Sequence, residues 1–478
     1  MTSPFSGAPL RLFNSLSRAI EPFVPVHPGE ARVYTCGPTV YAYQHIGNMR
    51  AYVFADTLGR VLSWKGYALR HVINITDVGH LTSDADAGDD KLERAAAQAG
   101  ASAWEIAKHF TQAYWADIER LNIRQPFKWT IATDYVPAMI EFAKSIADRH
   151  CYLLPSGLYF DTSTVPDYGR LARAATEAGE GRIDEVDGKR HPADFAIWRT
   201  TPPGETRQME WESPWGRGAP GWHLECSVMS EALLGLPFDI HTGGIDHREI
   251  HHPNEIAQNQ ARCASPDSGA RIWMHNNFLI DRGGKMSKSS GDFLRLQLLI
   301  DRGYHPLAYR LMCLQAHYRS ELEFSWDSLG AALTRLKRMV MAAEKLPAEG
   351  SEIRVKGLLA ELDAFDAALS DDLNTAVALT HLESALTTKA FPAAERRAAV
   401  QRMDAALGLR LLELSRADLR VRPADAPLAD AEIEARLAER KAARAAKDFA
   451  SSDRIRDELN AAGVEVMDGD PLGWDWAV

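Results

Sequence analysis

Apolar residues recur along this chain in two rhythms, and the change from one to the other divides it. Residues 32–36 (RVYTC) form a short apolar run that predicts a strand. Gly37-Pro38 breaks it, and a helix is expected to begin near His45. Tyr52, Val53, Leu58, Val61 and Leu62 give that helix an apolar side, Gly66 ends it, and residues 69–75 (LRHVINI) read as a second strand. Two parallel strands joined by a helix seed a Rossmann-like sheet, with ligands expected at the strands' carboxyl ends. Those ends are Cys36-Gly37 and Asn74-Ile75-Thr76-Asp77. Two further helices are expected after an Asp-rich loop at 84–90, the second opened by a capping box of Ser102 and Glu105. From about 122 to 215 the rhythm is lost: a short strand at 157–161, a Gly/Glu-rich loop at 178–181 and several prolines suggest an inserted module. The α/β pattern returns at 221–227, 238–241 and 273–280.

Beyond about 325 the spacing becomes helical throughout. Leu329, Leu333, Leu336 and Val340 form one stripe, and Leu358, Leu362, Phe365 and Leu369 another. Leu379, Leu382 and Leu386, then Val400, Met403 and Leu407, add two more, so a four-helix bundle is expected. Residues 421–428, with two prolines, read as a linker. In the tail, Arg436, Arg440, Arg444 and Lys447 are expected on one face of a helix, and residues 433–456 hold seven Lys/Arg against four Asp/Glu. A charge run of this kind is ordinarily a solvated face.

Composition narrows the class. At roughly 150 residues per domain, 478 residues suggest about three domains, and 46% hydrophobic content supports well-formed cores. Five cysteines (Cys36, Cys151, Cys226, Cys263, Cys313) are too few and odd in number for a disulfide framework, so a reducing, cytoplasmic setting is expected. No apolar run is long enough to span a bilayer, and no membrane partner is expected. The net charge of −11 disfavours nonspecific nucleic-acid binding without excluding RNA, which depends on where positive charge sits.

Two stretches suit phosphate chemistry. His45-Ile46-Gly47-Asn48 opens a helix, where free N–H groups attract phosphate and Gly47 lets a ligand approach the backbone. Gly283-Gly284-Lys285-Met286-Ser287-Lys288-Ser289 is a glycine-hinged loop whose two lysines suit the charge that develops as pyrophosphate leaves. Each alone is a weak signal. A third group suits a metal: Cys36, Cys226, His251 and Glu255 make a Cys₂-His-Glu set appropriate to Zn²⁺, with His251 and Glu255 four apart at a helix start that carries Pro253 in its first turn. The spacing is not that of a zinc finger, and any one of these residues alone reads more readily as a core residue.

The HIG-type motif after the first strand, paired with KMSKS after the last, resembles the double signature of class I aminoacyl-tRNA synthetases. YTCGPTVY, NITDVGH, PGWHLECSVM, FDIHTGGIDH, HHPNEIAQ, KMSKS and AHYRSELEFSW resemble, in order, the successive blocks of cysteinyl-tRNA synthetases, and the likeness runs from about Leu10 to the carboxyl end. The resemblance implies an α/β fold. A Rossmann-like parallel-sheet catalytic domain (1–121 and 216–300) would carry an inserted module (122–215). A stem-contact segment (301–328), an α-helical bundle (329–420) and a small C-terminal anticodon-contacting domain (429–478) would follow. It implies one Zn²⁺ per chain on Cys36, Cys226, His251 and Glu255, binding the thiol of substrate cysteine. His45, Gly47, Asn48, Gly244, Asp246, Lys285 and Lys288 would bind ATP, with Mg²⁺ on the phosphates, and His45, Asn48, Lys285 and Lys288 would act in catalysis. Gly37, Thr39, Thr76, Trp222 and His241 would surround the amino acid. The implied partners of a monomeric enzyme are tRNA(Cys), L-cysteine and ATP, joined through cysteinyl-adenylate. The alternative is a cysteine ligase with the same adenylate chemistry acting on a small-molecule amine, as in mycothiol synthesis. Asn48 stands where the family's motif has a second histidine; it can donate a hydrogen bond to phosphate but carries no charge.

Overall fold

The computed structural model describes residues 7–78, 90–172, 188–266, 268–281, 284–285, 294–470 and 472–478, with 281, 284 and 285 by backbone alone. Five parallel strands form the central sheet. Their order across it is Ala270–Asn276, Phe238–Gly244, Glu30–Thr35, Ala68–Ile75 and Lys128–Ile131. Chain order therefore reverses direction between Glu30–Thr35 and Phe238–Gly244. In an open parallel sheet this switch point leaves a crevice beyond the carboxyl ends of the two strands. Cys36 follows one of them and Gly244 ends the other.

Both faces of the sheet are covered, so successive residues of Phe238–Gly244 and Ala270–Asn276 are buried without alternation. Val33, Ile240 and Ile272 pack with Phe54, Leu58 and Val61 of the helix Ile46–Trp64. Tyr34, Val72 and Trp273 pack on the other side with Leu224 and Val228 of Trp222–Leu234 and Ile256 of His251–Cys263. The Lys128–Ile131 strand lies inside the stretch expected as an insert, yet it pairs with Ala68–Ile75. A separate antiparallel sheet follows, built from Cys151–Leu154, Gly157–Phe160, Phe195–Thr200 and Gly218–Pro220. The capping box of Ser102 and Glu105 opens the helix Ala103–Arg120 as expected.

The four expected bundle helices are Trp326–Ala343, Lys356–Ser370, Thr375–Thr387 and Ala393–Leu407. Their stripes merge with the catalytic core, since Leu336, Phe365, Leu379 and Met403 belong to the same buried cluster as Val33 and Leu58. A buried ion network ties the junction. The Arg310 side chain is fully enclosed, donating from Nη2 to Asp56 Oδ2 at 2.6 Å, from Nε to the Leu407 carbonyl at 2.8 Å and from Nη1 to the Leu121 carbonyl at 3.0 Å. Arg60 donates to the same Asp56 oxygen at 2.7 Å. Burial raises the Asp56 carboxyl, but Arg310 and Arg60 outweigh it and hold it down to about 2. An unfolded carboxyl titrates near ~3.9, so this depressed group adds stability above pH ~4 that is lost as pH falls toward 2. Denaturant melts between pH 5 and 2 should show that decline, and a flatter profile in Asp56→Asn would assign it; an unchanged slope would remove Asp56 as its source.

The amino-terminal hairpin, Arg11–Asn14 with Ala19–Pro22, is seated by distant chain. Asp372 Oδ1 accepts from Phe13 N at 2.8 Å, 359 residues away, and also from Tyr318 OH at 2.7 Å; Arg319 Nε donates to Oδ2 at 2.7 Å. At the other end, helices Asp430–Ala445 and Phe449–Ala461 enclose a small core with Trp474. The tail arginines do not form a free basic face. Arg440 donates twice to Asp468 (2.7 and 2.8 Å), Arg444 once at 2.8 Å, and Arg436 pairs with Glu458 at 2.6 Å. Lys447 lies beyond the helix end with φ of 58°. No helix among the described residues is long and apolar enough to cross a membrane.

Candidate active site

The crevice at the switch point is held by a tight backbone seam. Gly37 N donates to Asn74 Oδ1 at 2.7 Å, Val40 N to the Thr76 carbonyl at 3.1 Å, and Thr76 N to the Pro38 carbonyl at 3.0 Å; Thr39 forms a parallel bridge with Thr76. A Cβ at position 37 would lie 1.5 Å from the Asn74 carbonyl oxygen, so only glycine allows this approach. The seam fixes Cys36 at the head of the loop. Cys226, in the second turn of Trp222–Leu234, reaches the same point from the helix packed on that face of the sheet.

His251 begins the helix His251–Cys263 and Pro253 sits in its first turn, as the sequence predicts. The i, i+4 spacing brings His251 Nε2 to 2.9 Å from Glu255 Oε1. One ligand atom from each of Cys36, Cys226, His251 and Glu255 lies within 4.8 Å of the others, and all four residues are buried. A tetrahedral Zn²⁺, bonded at about 2.3 Å to sulfur and about 2.0–2.1 Å to nitrogen or oxygen, sets its ligand atoms roughly 3.3–3.8 Å apart. The set fits. Glu255 Oε1 is buried without a hydrogen bond of ordinary geometry despite its imidazole neighbour, which leaves it available to a cation.

The electrostatics agree with the donor set. Burial raises the Cys226 thiol, but the hydrogen bond from Cys36 and the charge on His251 outweigh it and bring it down to about 6. Burial and the paired Cys226 push the Cys36 thiol well up. His251 would be lowered by burial, yet Glu255 and Cys226 raise it to about 10, and Glu255 is held at about 2 chiefly by His241 and His251 against its own burial. Cys226, Glu255 and His251 thus each favour their charged forms in a buried site. Its outer support is also built: His251 Nδ1 is 3.0 Å from His223 Nδ1, and His223 Nε2 is 3.0 Å from Asn254 Nδ2. Tyr168 OH donates to Asn254 Oδ1 at 2.6 Å. Such partners orient a ligating imidazole.

The expected amino-acid residues surround this point. The Trp222 ring stacks on His251 with centroids 4.0 Å apart, and His241 Nε2 lies 2.8 Å from Glu255 Oε2. Thr76 Oγ1 donates to Glu225 Oε2 at 2.8 Å and accepts from Asn74 Nδ2 at 3.1 Å. Burial, then the Cys226 charge, push the Glu225 carboxyl well above its usual range. On the nucleotide side, His45 is the N-cap of Ile46–Trp64: its Nδ1 accepts from Asn48 N at 3.1 Å, and Asn48 Oδ1 accepts from His45 N at 3.4 Å. A Cβ at Gly47 would come within 2.9 Å of the His45 ring. Gly244 ends its strand and Asp246 falls in the following turn, Ile245–Arg248. Gly284–Lys285 pairs with Leu279–Asp281, so the Lys285 backbone borders the site. Its side chain, Lys288, and the loops at 84–89 and 178–181 lie outside the described residues.

Sequence reasoning assigned no individual role to several neighbours of the site: Asn74, Glu225, His223, His252 and His275. Glu225 and His223 lie in the block quoted for Cys226, but no spacing rule separates them from ordinary core residues. His252 adjoins His251 and was read only as part of the helix start. His252 Nε2 lies 3.3 Å from Cys36 Sγ, and Cys36, His241, His252 and Glu255 form a second set of mutually close ligand atoms.

Known proteins match this chain over nearly its whole length. Residues 22–334 match the family model for the class I (C) tRNA synthetase catalytic domain, and residues 426–471 match that for the cysteinyl-tRNA ligase anticodon binding domain. The chain is 69% identical to the cysteine–tRNA ligase of Novosphingobium aromaticivorans, covering 99% of this chain and 98% of that protein. It is 54% identical to the cysteine–tRNA ligase of Zymomonas mobilis, over 98% of each. Its fold is similar to that of Mycobacterium tuberculosis methionyl-tRNA synthetase bound by methionyl-adenylate, with a TM-score of 0.53 and 15% identity, over 80% of this chain and 90% of that one. The chain belongs to the cysteine–tRNA ligase family of class I tRNA synthetases.

Proposed function

We propose that this enzyme joins L-cysteine to tRNA(Cys) in two steps through cysteinyl-adenylate, working as a cytoplasmic monomer. The convergence of Cys36, Cys226, His251 and Glu255 at the sheet's switch point carries this reading. A zinc ion on these four residues would supply a bond to the substrate's sulfur that a serine hydroxyl cannot match. Pocket size alone separates such similar side chains poorly, so a soft donor set does what shape cannot. Trp222, His241, Thr39 and Thr76 enclose the amino acid, and Gly37 lets its backbone lie against the loop.

The amino-acid carboxylate displaces pyrophosphate from the α-phosphate of ATP, whose phosphates carry Mg²⁺. The carboxylate is already a competent nucleophile, so the protein acts by positioning and charge stabilisation. His45 and the N–H groups of its helix hold phosphate oxygens. Gly244 leaves room for the adenosine, and Asp246 accepts from a ribose hydroxyl. Lys285 and Lys288 neutralise the departing pyrophosphate. A terminal hydroxyl of tRNA then attacks the cysteinyl carbonyl, forming the ester and releasing AMP and the hydroxyl proton, while the bundle and tail contact the tRNA. The match at residues 426–471 favours tRNA over a small-molecule amine as acceptor.

Aminoacylation of tRNA(Cys) with cysteine and serine in competition, with zinc measured in the purified protein, tests the proposal. Cysteine charging with about one zinc per chain is expected; no charging overturns it. Asn48 keeps its amide N–H groups for ATP while its oxygen faces the His45 N–H. Hydrogen bonds to charged groups contribute ~1.5–3 kcal/mol, so Asn48→Ala should slow cysteine-dependent ATP–pyrophosphate exchange by about tenfold or more. Unchanged exchange would remove Asn48 from the ATP site.

A further inference from the structure

Glu255 turns its two carboxylate oxygens to different histidines. Oε1 is 2.9 Å from His251 Nε2 and 3.9 Å from His252 Nε2, and Oε2 is 2.8 Å from His241 Nε2. Cys36 is divided in the same way. It belongs with Cys226 and His251 on one side, and its Sγ is 3.3 Å from His252 Nε2 on the other. Cys36, His241, His252 and Glu255 each present a ligand atom within 4.8 Å of the rest, at positions no more than 7% exposed. The donors form two overlapping sets with a thiol and a carboxylate in common.

We propose that the chain holds a second divalent-cation position, formed by Cys36, His241, His252 and Glu255, which takes a thiophilic ion such as Zn²⁺ or Co²⁺. The proposal rests on the reading of Cys36, Cys226, His251 and Glu255 as the first position. Cys36 and Glu255 belong to both donor sets, so two ions would share them, as ligands are shared in two-metal sites. One sulfur, two imidazoles and one carboxylate suit zinc and cobalt and are a poor match for Mg²⁺.

The surroundings are already arranged for this role. His252 Nδ1 lies 2.8 Å from His275 Nε2, and His275 Nδ1 lies 2.8 Å from Ser15 Oγ. A cation on His252 Nε2 fixes that chain in one sense: His252 Nδ1–H donates to His275, and His275 Nδ1–H donates to Ser15. Every buried nitrogen in it is then satisfied, and the imidazole has the outer partner that ligating histidines ordinarily have. His241 stacks on Trp273 with centroids 4.7 Å apart and ring planes 16° apart, which limits its tilt toward the shared carboxylate.

The second ion binds more weakly, because both bridging donors already share their charge with the first. It also lies against His241, one of the residues proposed to enclose the amino acid.

Titration of the metal-free full-length chain with Co²⁺, followed by thiolate-to-cobalt and tetrahedral d–d absorption, tests this. Two equivalents are expected, the second with a tenfold or greater weaker affinity and a change in the thiolate band from the shared Cys36. His252→Gln should lose the second equivalent and keep the first; if that variant does not fold, His241→Asn carries the same expectation. Saturation of the unmodified chain at one equivalent overturns the second position and leaves the first intact. Retention of two equivalents in the folded variant overturns it as well, placing the extra ion elsewhere. No uptake at all overturns the first position and the second with it.

Discussion

Cys226→Ser is expected to leave a folded protein that no longer prefers cysteine to serine. Cys226 is 3% exposed at the start of a helix whose apolar residues lie in the core, so the exchange removes a ligand without opening a large cavity. A structural metal would behave differently, since its loss would take the fold with it. A site built around a specific partner rejects the wrong one by ~10⁴–10⁵, whereas small differences in pocket volume give only ~10–200. Loss of the thiolate should therefore lower the cysteine-to-serine ratio of kcat/KM by about a hundredfold or more, some 2.7 kcal/mol. ATP–pyrophosphate exchange with each amino acid, alongside a thermal melt and zinc determination, reads all three properties. A variant that melts normally and retains the preference would sink the zinc-selection reading; one that cannot fold would make the metal structural.

Arg310→Met should have the largest effect on stability. The substitution leaves Asp56 with its remaining guanidinium neighbours and strips donors from the carbonyls of Leu407 and Leu121. Breaking one partner out of a buried ion pair costs about 3–5 kcal/mol. Urea unfolding should report a loss of that size, and Asp56→Asn combined with Arg310→Met should cost less than the sum of the two, because the residues share one network. The junction joins the helix that His45 caps to the end of the last bundle helix. Transfer to tRNA should therefore fall more than ATP–pyrophosphate exchange in any variant that folds. A loss under ~1 kcal/mol would mean that Arg60 carries the junction without it.

The elements with strong periodicity were legible in the residues alone. The helix at His45, the strand before Cys36, the Ser102 capping box and the four bundle stripes all stand where hydrophobic spacing and cap chemistry place them. The fifth sheet strand was not. Lys128–Ile131 is four residues long, carries a lysine and a threonine, and lies next to prolines, so no local pattern marks it; its place is set by the free edge of Ala68–Ile75. The partners of the tail arginines were hidden in a related way. Their spacing is helical, but Asp468 and Glu458 come from beyond the helix, and a window of sequence does not contain the carboxylates that neutralise them. In the site, residue type suggested Cys36, Cys226, His251 and Glu255, and the fold brings them together. It also brings His241 and His252 to the same two shared ligands, which spacing along the chain had no means of expressing.

The seat of the amino-terminal hairpin on Asp372 bears on how the protein is made. Phe13 emerges early in synthesis, while its hydrogen-bond partner follows 359 residues later. At about 5–20 residues per second the ribosome takes roughly 20–70 s to deliver Asp372. During that interval the first strands can pair, since the contacts of Glu30–Thr35 with Ala68–Ile75 are near in sequence. Leu12 of the hairpin, wholly buried in the finished protein, lies in a cluster that includes residues of all four bundle helices, so its cover is incomplete until they are made. The hairpin is thus made long before its seat, and the nascent chain offers it to chaperones until the bundle residue that anchors it has emerged.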